Sequence, residues 1–158
     1  MSPRFLLSLS LPVFLLAACG AVEDTRPGQP VAHRQAAFRA MLKSFEPMGI
    51  QLREGTYQAE VFRQHAEKLA GLKDAPWDYF GADTQYPPSK SDDALWREPE
   101  IFAAERDKFI RAVEALRLAA QNAPPEARQQ TLTSLDALKA AYAPVEASCR
   151  SCHKRYKR

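Results

Sequence analysis

The chain has 158 residues, a length that fits a single domain. Its 22 Lys and Arg residues against 19 Asp and Glu residues give a formal net charge of only +3. Electrostatic binding of nucleic acid requires a much larger excess of positive charge. We therefore expect one small folded domain that has no nucleic-acid partner.

Residues 1–18 have the layout of an export signal. Arg4 precedes an apolar run from Phe5 to Ala18 that ends in small residues and is short for a membrane-spanning helix. The run leads into "LAAC", which resembles the lipobox of bacterial lipoproteins, and that resemblance implies an acylated Cys19 as the new N-terminus. The alternative is an ordinary secretory signal that is cleaved a residue or two later. Both interpretations predict a periplasmic protein, and the first adds a lipid anchor to the membrane.

Residues 19–30 contain Gly, Pro and acidic residues and are typical of a tether. We expect this tether to join the lipidated cysteine to a domain over residues 31–158.

The domain is predicted to be all-α, an antiparallel four-helix bundle, because apolar residues recur at helical spacing and no stretch alternates as a strand does. Pro47 is expected to kink or end the first helix, and Thr56 to cap the second. Pro144 is expected to bend the fourth. The predicted helices cover about 31–49, 56–73, 99 to the Pro124–Pro125 pair, and 125 to the C-terminus, with a long loop over 74–97.

The sequence "SCRSCH" at 148–153 contains the Cys-x-x-Cys-His motif of c-type haem attachment. Positions i, i+3 and i+4 share one helical side, so Cys149 and Cys152 can bond one porphyrin while His153 binds its iron. The motif continues the apolar stripe of the fourth helix, which predicts that both thiols point to the bundle interior.

Two other uses of the cysteines fit less well. A thioredoxin-type pair needs its reactive thiol at a helix N-terminus, whereas these thiols come near a C-terminus. A structural zinc site needs four ligands, and the motif supplies three. Haem c, covalently attached, is therefore the predicted cofactor.

A haem motif at the end of a four-helix bundle resembles the class II c-type cytochromes, and among them cytochrome c′. The resemblance covers about residues 31–158 and rests on "RQAAF" (34–38), "PWDYFG" (76–81), "ALWREPEIF" (94–102) and "ASCRSCHKRYK" (147–157). It implies that Phe38 covers the distal haem face and that Arg34 reaches a propionate, with Gln35 beside them in the binding site. Lys157 stands where the family generally has an arginine near the haem, and a lysine lacks the guanidinium fork.

The resemblance also implies a function. Five-coordinate, high-spin iron would bind nitric oxide (NO) and carbon monoxide (CO), for NO sequestration or for electron transfer with a redox partner that the sequence does not identify. The alternative is a low-spin electron carrier with a methionine from the first helix as sixth ligand, which would have to be Met41. A homodimer through the first two helices is a further expectation. No nucleophile–base arrangement outside the motif supports an enzyme.

Overall fold

A computed structural model describes residues 23–124 and 132–158 of the chain. The predicted export signal and Cys19 lie outside the described residues, as does the predicted start of the fourth helix at residues 125–131. Among these described residues, no helix is long and apolar enough to cross a membrane.

Four long helices and one short helix make up the described fold, and the predicted all-α bundle is confirmed. The helices are α1 (Pro30–Glu54), α2 (Ala59–Leu72), α3 (Ala94–Arg97), α4 (Pro99–Asn122) and α5 (Leu132–Tyr156). Adjacent helices α1 and α2, α2 and α4, and α4 and α5 pack together, and α5 also contacts α1. Two 3₁₀ turns, Trp77–Tyr79 and Ala82–Thr84, lie in the loop that crosses from α2 towards α4.

Helix α1 continues through Pro47, so the prediction that it ends near residue 49 was wrong. A proline removes one N–H donor from the helix, whereas Met48 and Leu52 beyond it are both buried in the core. The helix ends instead at Glu54 and is capped by Gly55, whose φ of 67° is the left-handed conformation that glycine adopts without strain. Packing of the last turn therefore outweighs the lost hydrogen bond.

Helix α2 begins at Ala59, three residues later than the predicted cap at Thr56. The side chain of Gln51 accepts a hydrogen bond from the backbone N–H of Gln58 at 2.9 Å, which orders the connection to α1. The Thr56 hydroxyl therefore does not cap this helix.

The predicted apolar stripes form the core. Val31, Met41, Phe45 and Met48 of α1 are each at most 8% exposed, while Phe38 is only half-buried. Helices α2, α4 and α5 contribute further core residues, namely Phe62, Ala66, Leu69, Phe109, Val113, Leu116, Leu138 and Val145. Helix α5 is continuous through Pro144, which is exposed.

The segment before α1 is packed on the bundle. Asp24 is 3% exposed, and its carboxylate accepts hydrogen bonds from the backbone N–H groups of Val31 (2.9 Å) and Ala32 (3.1 Å). These N–H groups belong to the first turn of α1, where no backbone carbonyl of the helix is available to accept their hydrogen bonds. Tyr86 of the crossing loop donates its hydroxyl to the same carboxylate at 2.7 Å. The part of the predicted tether from Asp24 onwards is therefore fixed to the domain.

Most of the irregular structure lies at one end of the bundle. Because the long helices alternate in direction, the start of α1, the end of α2, the start of α4 and the end of α5 all lie there, together with the crossing loop (residues 73–98). The cysteines and the histidine of the motif are in the last two turns of α5, so they belong to this end.

Candidate haem site

The last turns of α5 position the three residues of the motif. Cys149 and Cys152 are half-buried free thiols, and Cys149 packs against the core. Burial raises the pKa of the Cys149 thiol, and burial together with the charges of Glu105 and Cys149 raises that of Cys152 to about 11. Both thiols are therefore protonated at neutral pH. A thioredoxin-type pair needs the opposite, a lowered thiol pKa.

His153 lies at the helix surface, one residue beyond Cys152, and is exposed. Partial burial of its ring, and then the positive charge of Lys157 one turn later, lower its pKa. A lowered pKa favours the neutral imidazole, which is the form that binds a metal ion. Lys157 is itself exposed, and its predicted role beside the haem stays a prediction.

The end of α5 is held in place by the crossing loop. The backbone N–H of Asp92 donates to the carbonyl of Tyr156 at 2.8 Å, and that of Arg158 donates to Lys90 at 2.9 Å. The Arg158 side chain also pairs with the carboxylate of Asp92 at 3.1 Å. The motif is thus fixed on both sides, by the helix before it and by the loop after it.

Arg34 is the most highly constrained of the predicted site residues. It is 2% exposed, and its two terminal nitrogens donate four hydrogen bonds to the crossing loop. The acceptors are the Tyr79 carbonyl (2.8 Å), the hydroxyl (2.8 Å) and carbonyl (3.1 Å) of Thr84, and the Ser89 hydroxyl (2.5 Å). The ring of Phe80 lies 4.8 Å from the guanidinium carbon.

None of these acceptors is a carboxylate, so Arg34 is a buried cation with neutral partners. Burial lowers its pKa, against the opposing charges of Tyr86 and Asp24. A buried charge that lacks a counter-charge is costly. The Nε–H has no acceptor among the described residues, so the arginine retains a donor that a propionate could use. Gln35, next to it, is half-buried and donates to the carbonyl of Pro88 at 3.3 Å.

Phe38 lies one turn further along α1, in a cluster of aromatic rings. Its ring meets those of Trp77 and Phe80 edge-on, with centroids 5.8 and 6.2 Å apart. Phe80 in turn contacts Phe102 of α4 at 5.2 Å, and Phe102 contacts Tyr156 of α5 at 5.4 Å. The cluster connects the predicted distal residue on α1 to the haem motif on α5.

The hydroxyl of Tyr156 has no hydrogen-bond partner among the described residues, although the side chain is 5% exposed. Buried polar groups in native proteins nearly always have a partner, so an orphan one suggests a missing group. Tyr156 is three residues after His153, on the same side of α5. An orphan hydroxyl, two uncommitted thiols, a neutral imidazole and an unpaired cation at one end of the bundle fit a haem with its propionates.

The structure adds residues to the site that the sequence did not assign to it. Trp77 had no predicted role in the site, yet its ring contacts that of Phe38. Thr84 and Ser89, which accept hydrogen bonds from Arg34, were not predicted to belong to the site. The fragment "PWDYFG" pointed to the right part of the loop, whereas partners of Arg34 at separations of 45 to 55 residues leave no local pattern.

A four-helix bundle that carries Cys-x-x-Cys-His in its last helix defines the class of bundle-type c cytochromes. A family model described as Cytochrome C′ matches residues 29–157. The chain therefore belongs to the cytochrome c′ family, whose members carry covalently attached haem c.

Individual relatives agree with this assignment. Cytochrome c′ of Alcaligenes xylosoxydans xylosoxydans is 27% identical over 134 residues, which cover 84% of this chain and 96% of the relative. The structure of cytochrome c prime from Shewanella frigidimarina is 26% identical, covers 85% of this chain and 98% of its own, and has a TM-score of 0.75. A nitric oxide complex of an Alcaligenes xylosoxidans variant is 27% identical, covers 86% of this chain and 99% of its own, and has a TM-score of 0.71.

Proposed function

We propose that this protein is a five-coordinate, high-spin haem protein that binds NO and CO, and that it sequesters NO or takes part in electron transfer in the periplasm. Cys149, Cys152 and His153 would hold haem c, which would supply a redox-active iron able to bind a diatomic ligand. The NO complex of a related cytochrome c prime supports the choice of ligand. We do not expect enzymatic activity.

The observation that carries the proposal is the position of Phe38. It is half-buried among Trp77 and Phe80, and a phenyl ring can neither coordinate iron nor donate a hydrogen bond. An apolar distal side gives no hydrogen bond to a polarised oxygen adduct, which favours NO and CO over oxygen. Met41, the alternative sixth ligand, is 5% exposed and belongs to the core cluster.

Optical spectra of the oxidised and reduced holoprotein, with and without CO, test this function. We expect a high-spin spectrum and CO binding in the wild type. Phe38→Ala should raise CO affinity, because the ligand no longer has to displace a packed ring. Phe38→Met should give a low-spin spectrum, because a thioether then lies on the distal side.

Met41→Ala is the matched control, since it truncates a neighbouring residue of the same helix. It should leave the spin state unchanged. A low-spin wild type that becomes high-spin in Met41→Ala would instead identify Met41 as the sixth ligand and the protein as an electron carrier. Truncation of a buried side chain costs about 2–5 kcal/mol, so unfolding should be measured alongside.

We also propose that the protein is exported and anchored by acylation of Cys19. The support is the sequence "LAAC", preceded by an apolar run that follows Arg4. Wild-type protein should partition with membranes, and Cys19→Ala should release it into the soluble periplasmic fraction. Recovery of the wild type in that soluble fraction would contradict the anchor.

A homodimer through α1 and α2 is the proposed assembly. Leu42 and Ile50 of α1 and Val61 of α2 are large apolar side chains that are 51%, 43% and 38% exposed. Exposed apolar side chains on paired helices can be buried by a second copy of the chain. Sedimentation equilibrium of the holoprotein would test the assembly.

A further inference from the structure

The N-terminal segment leaves the bundle at a fixed point. Asp24 is buried and bonded to α1 and to Tyr86, as described above. Two residues later, the Arg26 guanidinium donates to the carbonyl of Asp83 at 2.9 Å and lies 4.1 Å from the centre of the Tyr86 ring. Glu23, in contrast, is exposed. The chain is therefore fixed to the bundle from Asp24 onwards.

The stretch of sequence between Cys19 and Asp24 is short. Four residues separate Cys19 from Asp24. Even when fully extended, five Cα–Cα steps cover only about 17 Å. A lipid attached to Cys19 would therefore keep Asp24 within about 17 Å of the membrane surface.

Asp24 lies at the same end of the bundle as the haem motif. It caps the first turn of α1, and α5 ends at this end of the bundle, where its last residue, Tyr156, is three residues beyond His153. At a rise of 1.5 Å per residue, His153 is about 5 Å from the end of α5, and Phe38 is about 12 Å from the start of α1. The end of the bundle that carries the haem would therefore face the lipid.

Electrostatic attraction to the membrane does not determine which end of the bundle faces it. Three arginines at this end form ion pairs, Arg97–Asp93 (2.8 Å), Arg155–Glu98 (2.6 Å) and Arg158–Asp92 (3.1 Å). The exposed lysines Lys90, Lys154 and Lys157 form none among the described residues, but the exposed acidic residues Glu23, Asp78 and Glu100 match them in number. Attraction to anionic lipids requires an excess of basic residues near the surface. The length of the chain, and not the charge, would determine which end faces the membrane.

We propose that residues 19–23 form a short tether that holds the haem-bearing end of the bundle against the phospholipid surface. This inference rests on the proposed acylation of Cys19 and goes beyond it, because an anchor on a long linker would leave the bundle free to turn. Apolar diatomic gases dissolve well in hydrocarbon, so the haem site would meet NO where it leaves the bilayer. A redox partner embedded in the membrane would meet the same end.

The test uses acylated holoprotein in phosphatidylcholine vesicles that contain a trace of headgroup-labelled fluorescent lipid. Haem quenches the label by energy transfer, which falls with the sixth power of distance. A 20-residue Gly-Ser insertion between Gly20 and Ala21 adds a root-mean-square length of about 25 Å and should lower the quenching at least about twofold. The same 20 residues inserted between Gly55 and Thr56, in the exposed connection of α1 to α2 at the opposite end of the bundle, are the matched control and should leave the quenching unchanged.

Asp24→Ala is a second variant, because it removes the contacts of the carboxylate with α1 and Tyr86 and leaves Arg26 as the first attachment of the chain to the bundle. It should lower the quenching by a smaller amount. Glu23→Ala removes an exposed carboxylate one residue away and should have no effect. Quenching by the wild type should be the same in vesicles with anionic lipid and at high salt.

The outcomes separate the orientation from the anchor. Unchanged quenching after the insertion, in protein whose mass shows acylated Cys19, would overturn the orientation and leave the anchor standing. Quenching that requires anionic lipid would also overturn the orientation by the tether. Absence of acyl chains from Cys19 would overturn both proposals.

Discussion

At the scale of single residues, Tyr156 gives a direct test of how the haem completes the site. Its hydroxyl is buried without a partner in the described protein, and burial raises its pKa. We expect the hydroxyl to gain a hydrogen-bond partner in the haem-loaded protein. Tyr156→Phe should then lower the free energy of unfolding of the holoprotein by about 1 kcal/mol, the usual net worth of one hydrogen bond. Thermal or denaturant unfolding would measure it.

Tyr57 is the matched control for this change. Its hydroxyl is also buried without a partner among the described residues, but it lies between α1 and α2, at the opposite end of the bundle. Removal of an unsatisfied buried hydroxyl is neutral or stabilising, so Tyr57→Phe should not destabilise the protein. Equal effects of the two substitutions would show that Tyr156 has no special partner at the haem end.

Asp24 gives a prediction about pH. Burial raises the pKa of its carboxyl, but hydrogen bonds from Tyr86 and from the backbone of Ala32, Arg26 and Val31 outweigh burial and hold the pKa below the usual 3.8. A folded-state pKa below the unfolded value means that the carboxylate stabilises the fold above pH 3.8 and loses this effect as pH falls towards the lowered pKa. Asp24→Asn should therefore reduce stability at pH 7 and flatten the loss of stability in acid. Unfolding transitions measured from pH 7 to pH 3 would check it, with Glu23→Gln as the control.

At the scale of the helices, the contact between α1 and α5 depends on a glycine. A Cβ atom added at Gly49 would collide with the hydroxyl of Tyr142 and lie 2.9 Å from its ring carbon Cζ. The ring of Tyr142 also stacks on Phe45 at a centroid distance of 4.2 Å, so it has little room to move. Gly49→Ala should therefore destabilise the protein by about 1–3 kcal/mol, the usual cost of overpacking.

Gly71 of α2 is the comparison residue, because nothing lies within 4 Å of a Cβ added there. An alanine in an open helical position is favoured over glycine by about 1 kcal/mol, so Gly71→Ala should stabilise the protein. Denaturant unfolding would show shifts of opposite sign. Shifts of the same sign would mean that helix propensity, and not the approach of Tyr142, determines the effect at Gly49.

The sequence was sufficient to predict the elements whose pattern is local. Val31, Met41, Phe45 and Met48 of the predicted stripe in α1 are buried, and the stripe in α5 leads to the motif as expected. The end of α1 was missed because Pro47 predicts a break and only packing beyond it shows that the helix continues. The fixed position of Asp24 was missed because its partner Tyr86 is 62 residues away. Contacts between distant polar residues leave no periodic signal.

At the scale of the whole molecule, the cofactor is expected to be part of the core. Aromatic residues from α1, the crossing loop and α4 pack together with Tyr156, three residues after the motif in α5, so the haem would lie beside residues of all four segments. Replacement of both Cys149 and Cys152 with Ala should abolish covalent haem. Loss of a buried group at least as large as an aromatic side chain costs about 3–5 kcal/mol, which lowers the melting temperature by about 10 °C.

Haem absorbance after denaturing extraction and thermal unfolding by circular dichroism would measure both effects. Ser148→Ala, directly before the motif, should keep the haem and the melting temperature. A haem-free double variant with an unchanged, sharp transition would contradict the idea that the haem completes the core.

The hydrogen bonds of Arg34 determine how the crossing loop opens. Its acceptors span residues 79 to 89. If only part of this stretch separated from α1, the buried guanidinium would keep donors without acceptors, which is costly. Opening should therefore be all-or-none, and the amides of Thr84 and Ser89, both bonded within the loop, should exchange with solvent deuterium at one common rate. On the timescale of hydrogen exchange, the loop that connects α2 to α4 would then separate from α1, and return to it, as one unit.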